Sequence, residues 1–462
     1  MLHFGGVINI SKNYISLNSN LILFVICNVE LKKSSRIKDQ QMNVNLNKYE
    51  NMVITDHNIE VPLNYDRPED RKINIFIRKV SRQESLQKSL PYLIFFQGGP
   101  GYESPRPISD SGWIKRATED YNVLLIDQRG TGLSSPISSD SIKNMEDNYL
   151  AEYLSFFRAD NIIRDAEYIR ENIFSVNKWS VLGQSFGGFC AMNYLSFFPE
   201  HLDKVFITGG IPPLNAHPDE IYRATYKRVL KKNKLFYEIF PQAKINAKKI
   251  ADFISENDVK LPNGDILSLR RFQQLGLNLG FSDGMATLNF LFERAFVHGK
   301  LSEYFLKQVL CLQTFDTNPI FTVLHEACYA QGFSTEWSAQ RILKEYPEFM
   351  YDKNGDFFFT GEMLYPWMLD DYKSLRPFKK AADILAKKQN WPLLYDEEKL
   401  KKNQVPIAAA VYTNDMYVDR EFSMELADII PNMIVWETEF FEHNALRSNG
   451  KKVLDSLFAR IK

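Results

Sequence analysis

The chain has 462 residues, 45% of them hydrophobic and 13% aromatic, enough apolar material to bury large cores, so disorder is not the default state. Its 56 basic and 57 acidic side chains nearly cancel to a net charge of -1, which excludes recruitment of nucleic acid or an anionic membrane by a global field and favours a small or neutral substrate. The four cysteines, Cys27, Cys190, Cys311 and Cys328, stand far apart among apolar neighbours with no CxxC and no histidine at metal-ligand spacing, a pattern of reduced thiols in a cytoplasmic protein rather than a disulfide framework or metal site.

Residues 1–48 are rich in Asn, Ser and Lys and carry one short apolar run, Leu21 to Val29. That run is too short to span a bilayer. Only Lys12 is basic ahead of it and no small-residue cleavage site follows, so it is read as an extension, disordered or not native, with Met42 as an alternative start, rather than as an export signal.

From Met52 the pattern is that of an α/β protein. Ile73 to Val80, Tyr92 to Phe96, Val123 to Ile126, Trp179 to Leu182 and Val205 to Thr208 read as strands, and the continuous apolar character of the last four predicts central, mostly parallel strands covered on both faces. Asn161 to Asn172 reads as an amphipathic helix between two of them. After Gly209-Gly210-Ile211-Pro212-Pro213 helical periodicity takes over, as in Glu220 to Leu230 and Thr335 to Glu345. Strand character returns at Val405 to Tyr412 and Met433 to Thr438, with a final helix starting near Gly450. The expected organisation is a core in two parts, 49–212 and 403–462, interrupted by a helical cap at 213–402.

The chemistry concentrates in loops that follow these strands. Gly183-Gln184-Ser185-Phe186-Gly187 lies between an apolar strand and a helical stretch, the context of a nucleophile elbow, in which the serine occupies a strained strand-to-helix turn and small residues two positions either side avoid clashes. Gln97-Gly98-Gly99-Pro100-Gly101 follows an earlier strand, where a second oxyanion amide is needed; the donors expected are the backbone N–H groups of Gly99 and Phe186. A serine nucleophile needs a base. Of the seven histidines, His3 and His57 precede the core strands of the site, His201, His217, His298 and His325 lie after the elbow or inside the cap, and His443 alone follows the last strand, the position required by the chain order serine, acid, histidine. The acid should follow the penultimate strand, where Asp415 is preferred to Asp419 because it is nearer the strand end. Asp127-Gln128-Arg129-Gly130-Thr131-Gly132 has neither GxxxxGK[ST] nor GxGxxG and is read as an Asp and Arg bracing a tight turn.

Taken together, FFQGGPGYESPRP, LLIDQRGTGLSSP, WSVLGQSFGGFC, ITGGIPP, LHEACYAQG, FFFTGEMLYPWM, VYTNDMYVD and FEHNALR resemble the proline iminopeptidase family of α/β-hydrolase serine peptidases, especially its longer subgroup, from about Val53 to the C-terminus. The resemblance implies an α/β-hydrolase fold with a large helical cap inserted before the last strands. It places a triad on Ser185, Asp415 and His443, and implies a prolyl aminopeptidase that releases an N-terminal residue, preferably proline, from peptides with a free amine. It also implies acidic cap residues that hold this amine, for which Glu326 and Glu362 are the candidates. The chain departs from shorter members at Gln97, where those have His, at Gln184 and Phe186 of the elbow, and in the TNDM segment around the acid. No cofactor, metal, nucleic acid or stable membrane association is expected. The competing readings are an esterase or amidase that uses the same triad on a non-peptide substrate, and a catalytically dead binding protein that keeps the fold.

Overall fold

The computed structural model describes residues 45–461. The apolar run at Leu21 to Val29, Cys27, His3 and Met42 lie outside the described residues, as does the expected extension up to position 44. The last residues of that expected extension are instead part of the sheet, in β1 (Asn45–Tyr49). The chain continues through β2 (Met52–Pro62), β3 (Lys72–Arg82), β4 (Tyr92–Phe96), β5 (Asn122–Ile126), β6 (Trp179–Gln184) and β7 (Leu202–Thr208). After the short strands β8 (Phe296–Val297) and β9 (Lys300–Leu301) come β10 (Ile407–Tyr412) and β11 (Met433–Thr438).

Nine of these strands form one sheet in the order β1-β2-β3-β5-β4-β6-β7-β10-β11. The first three run antiparallel to their neighbours, and from β5 to β11 every pairing is parallel. The parallel strands are the ones whose sequences read as unbroken apolar runs, because both faces are covered. Side chains alternate between two cores: Ile94 and Phe96 of β4 enter the larger, Leu93 and Phe95 the smaller, as a period of two requires. The helix Phe186–Phe197 packs in the larger core, while Trp113 from the helix Gly112–Ala117 and Leu454 from the helix Gly450–Phe458 close the smaller.

Between β7 and β10 the regular structure of the described chain is helical, joined by loops, apart from the β8-β9 ribbon and an isolated bridge between Lys260 and Ile266. Its first helix, Pro218–Ile239, is started by a capping box: the His217 side chain accepts from Asp219 N and Glu220 reaches back to the His217 N–H. Those contacts satisfy amides that a helix start leaves open.

What positions the site is register. Phe96 is level with Gly183, Gln184 with Thr208, and Tyr412 with Thr438. The loops after β4, β6, β10 and β11 therefore emerge at the same carboxyl edge of the sheet, the edge at which open α/β sheets bind their ligands.

Candidate active site

Ser185 follows β6 directly and precedes the helix Phe186–Phe197, with φ 54° and ψ −125°. A non-glycine residue at positive φ is strained, and the strain is held in place: Ser185 N donates to Thr208 O at 3.0 Å and Gly188 N donates to Ser185 O at 2.7 Å. The flanking glycines are obligatory on contact grounds. A Cβ on Gly187 would lie 1.9 Å from Phe96 O, and one on Gly183 would lie 2.3 Å from Gly187 O.

The Gln97–Gly99 loop runs against the nucleophile, since a Cβ on Gly98 would meet Ser185 Cβ at 3.0 Å. Gln128 Nε2 donates to Gln97 O at 2.9 Å and anchors that loop. Asp127 and Arg129 brace the next turn. Asp127 accepts from Ser104 N at 3.1 Å, Leu133 N at 2.9 Å and both terminal nitrogens of Arg106 at 2.8 Å. Arg129, buried, grips Asp165 at 2.8 and 2.6 Å and donates to Leu63 O and Phe156 O. Phe186 opens the helix after Ser185, so its N–H is among the first amides of the helix, which have no intrahelical acceptor and carry the positive end of the dipole.

His443 lies after β11 and Asp415 after β10. An ionised carboxylate can only accept, so His443 Nδ1 donates to Asp415 Oδ2, at 2.6 Å. Asp415 is fully enclosed, and its Oδ1 accepts from Tyr417 N at 2.8 Å and Val418 N at 3.2 Å. The Tyr417 ring stands 4.5 Å from the imidazole, and its hydroxyl donates to Leu277 O in the cap. Burial pushes the His443 pKa down, but the charge and hydrogen bond of Asp415, with help from Glu362 and Glu442, outweigh it and leave the pKa above the ordinary histidine value. Asp419, the alternative acid, is engaged elsewhere: it caps the helix Arg420–Ile429 and accepts from Arg228 Nε at 2.8 Å.

Ser185, His443, Gly99 and Glu362 line one cavity of about 450 Å³, within the ~300–1,000 Å³ range usual for ligand sites. Phe95, Trp113, Phe281, Leu312, Phe321 and Tyr417 supply its apolar wall. Among the described residues Glu362 is the only acidic one lining it, and its Oε2 lies 3.4 Å from His325 Nε2.

The two cap glutamates are thus separated by the structure. Glu326 does not line this cavity. Its carboxylate accepts from Ser338 N at 3.1 Å and Ala339 N at 2.9 Å, capping the short helix Ser338–Ile342, and burial raises its pKa to about 7. The expectation for Glu326 is contact with a substrate amine; the structure instead shows each of its oxygens accepting from a backbone N–H, outside the cavity that holds Ser185.

Residues that sequence reasoning passed over also converge here. Lys232 from the helix Pro218–Ile239 donates to Glu442 at 2.5 Å, next to His443, and Ser282 N in the cap donates to Asn444 Oδ1 at 3.0 Å. Glu442 and Asn444 flank the expected base, a proximity that could have marked them; Lys232 and Ser282 are far away in sequence and carried no such signal.

The family described as alpha/beta hydrolase fold matches residues 91–256. A proline iminopeptidase of Aeromonas sobria is 46% identical over 402 residues, which cover 87% of this chain and 95% of that protein. The proline iminopeptidase aneH of Aspergillus aculeatus is 32% identical over 412 residues, 87% of this chain and 92% of that protein. Among solved structures, a bromoperoxidase from Bacillus anthracis aligns with 87% of this chain and 99% of its own at 15% identity, with a TM-score of 0.41. Identity at this level, sustained over nearly the full length of both relatives, extends through the sheet, the elbow and the cap alike, and the chain belongs to the proline iminopeptidase family of α/β-hydrolase-fold proteins.

Proposed function

We propose that the protein is a cytoplasmic serine aminopeptidase that releases N-terminal proline from peptides, with Ser185 as nucleophile, His443 as general base then acid, and Asp415 as the carboxylate that orients it. The observation that carries the reading is a single cavity holding Ser185, His443 and one enclosed carboxylate, Glu362. A peptide whose charged secondary amine meets Glu362 presents its first carbonyl to Ser185, with the proline ring against the apolar wall. Ser185 Oγ attacks that carbonyl while His443 Nε2, the ring nitrogen not engaged by Asp415, takes the proton. The oxyanion is held by the amides of Gly99 and Phe186. His443 then protonates the leaving nitrogen; in the second half His443 takes a proton from water as it attacks the prolyl ester and gives it to Ser185 Oγ as proline leaves.

Glu326, already bonded to the Ser338 and Ala339 amides, has no part in amine recognition on this reading. A blocked N-terminus would leave Glu362 facing an amide it cannot neutralise, so discrimination follows from the cost of an unpaired buried charge. The described cysteines, Cys190, Cys311 and Cys328, are unbridged, which supports placement in a reducing compartment. The test is Glu362→Gln: kcat/KM on free-amine prolyl substrates should fall by ~10²–10³, equivalent to about 3–4 kcal/mol of a broken enclosed ion pair. An unchanged kcat/KM would remove Glu362 from amine recognition.

A further inference from the structure

Among the described residues, the only formally charged side chain lining the cavity besides Glu362, His443 aside, is Arg447. It sits in the helix Ala445–Ser448, immediately after His443, and its guanidinium lies over the Phe281 ring at 5.3 Å. Several arginines are taken up by carboxylates, Arg106 by Asp127, Arg129 by Asp165, Arg228 by Asp419 and Arg270 by Asp371, whereas Arg158, Arg376 and Arg460 donate to backbone carbonyls. Among the described residues, no carboxylate lies within ion-pair distance of Arg447, which is exposed at the cavity rim. An arginine held on an aromatic face but left without an anion is a ready carboxylate site, because its planar fork is already oriented and little further entropy is lost on pairing.

Its position also has a direction. On the aminopeptidase reading, on which this inference rests, His443 faces the leaving nitrogen and Glu362 the amine. Arg447, opposite in sign to Glu362 and lining the same cavity, is then the charge left for the other end of the peptide. The rings of His443, Tyr417 and Phe281 follow one another at 4.5 and 5.6 Å, and Arg447 stacks on the last. The guanidinium thus lies within roughly 15 Å of the imidazole, a span that a few extended residues cover at ~3.3–3.6 Å each.

We propose that Arg447 is a subsite for the C-terminal carboxylate of short peptide substrates, so that the cavity reads both ends of a small zwitterion. The same chemistry would accept an acidic side chain just beyond the scissile bond, and the test separates the two. Steady-state kinetics would be measured for Pro-Ala-Ala-Ala, its C-terminal amide, Pro-Glu amide and proline β-naphthylamide with wild type, Arg447→Ala and Arg447→Lys. Wild type should prefer Pro-Ala-Ala-Ala over its amide by ~10-fold in kcat/KM, through KM, as one exposed charge-assisted pair supplies. Arg447→Ala should reduce that preference to about one, Arg447→Lys should keep part of it, and added salt should weaken it. Equal use of Pro-Ala-Ala-Ala and its amide by wild type would overturn the proposal, as would an Arg447→Ala loss of the same size on all four substrates, which marks a structural role. A preference confined to Pro-Glu amide would reassign the site to acidic side chains. If wild type hydrolyses none of the four, it is the aminopeptidase reading itself that fails.

Discussion

His443 is pulled in two directions: its enclosure favours the neutral ring, and Asp415 at 2.6 Å favours the charged one and prevails. A base works only when neutral, so a raised pKa places the acid limb of kcat/KM above the ordinary histidine value of about 6.5. Asp415→Asn removes the charge that raises it and leaves the burial that lowers it. The limb should move to lower pH while kcat falls by ~10⁴ through loss of the productive tautomer; a pH–rate profile measures both, and an unmoved limb would contradict the assignment. Ser185 and His443 could be picked out in the sequence as candidates from strand ends and chain order, which left Asp415 preferred but Asp419 open; the bond from His443 to Asp415 is what separates those two. Which cap glutamate faces the cavity was not legible. Glu326 and Glu362 stand in equally distinctive segments, and only tertiary packing turns the first onto the Ser338 and Ala339 amides.

At the level of elements, the elbow is the least forgiving. Gly187→Ala forces a methyl into Phe96 O and should cost at least ~2 kcal/mol in urea unfolding, beyond the usual overpacking penalty only if β4 and β6 cannot part. Arg129 holds the following turn. Arg129→Ala would leave Asp165 enclosed without its cation, and ~3–5 kcal/mol of destabilisation is expected in the same assay. The helix Ser338–Ile342 tests linkage. The carboxyl of Glu326 has its pKa raised to about 7, so above its unfolded value of about 4.3 the unfolded chain binds fewer protons than the native one and stability falls as pH rises, until the native group also ionises near that pKa. Wild type should therefore lose thermal stability relative to Glu326→Gln between about pH 5 and about pH 8; parallel melting curves would show that the carboxyl is not held neutral. The same cap explains a boundary: periodicity suggested helix from Thr335, whereas the helix begins at Ser338, where a side chain twelve positions earlier supplies its acceptors. β2 went unnamed in the sequence because Asp56, His57 and Asn58 interrupt its apolar run, although it pairs along its whole length with β3.

Across the whole molecule, the cap is fastened to the catalytic loops by Lys232 to Glu442, Arg228 to Asp419 and Ser282 to Asn444. These ties join segments about 160 to 210 positions apart, which is why the order of core, cap and core could be read from the sequence and the contacts between them could not. They join the cap, which carries Glu362 and part of the apolar wall, to the sheet edge that carries Ser185, Asp415 and His443; on the proposed function the core sets the reaction and the cap the demand for a free amine. The most direct test of this division is steady-state hydrolysis of proline β-naphthylamide, its N-acetylated form and the alanine analogue by wild type and Ser185→Ala. Turnover confined to free-amine substrates, led by proline and reduced ~10⁶-fold in Ser185→Ala, is the result expected. Equal hydrolysis of the acetylated substrate, or activity that survives Ser185→Ala, would contradict it.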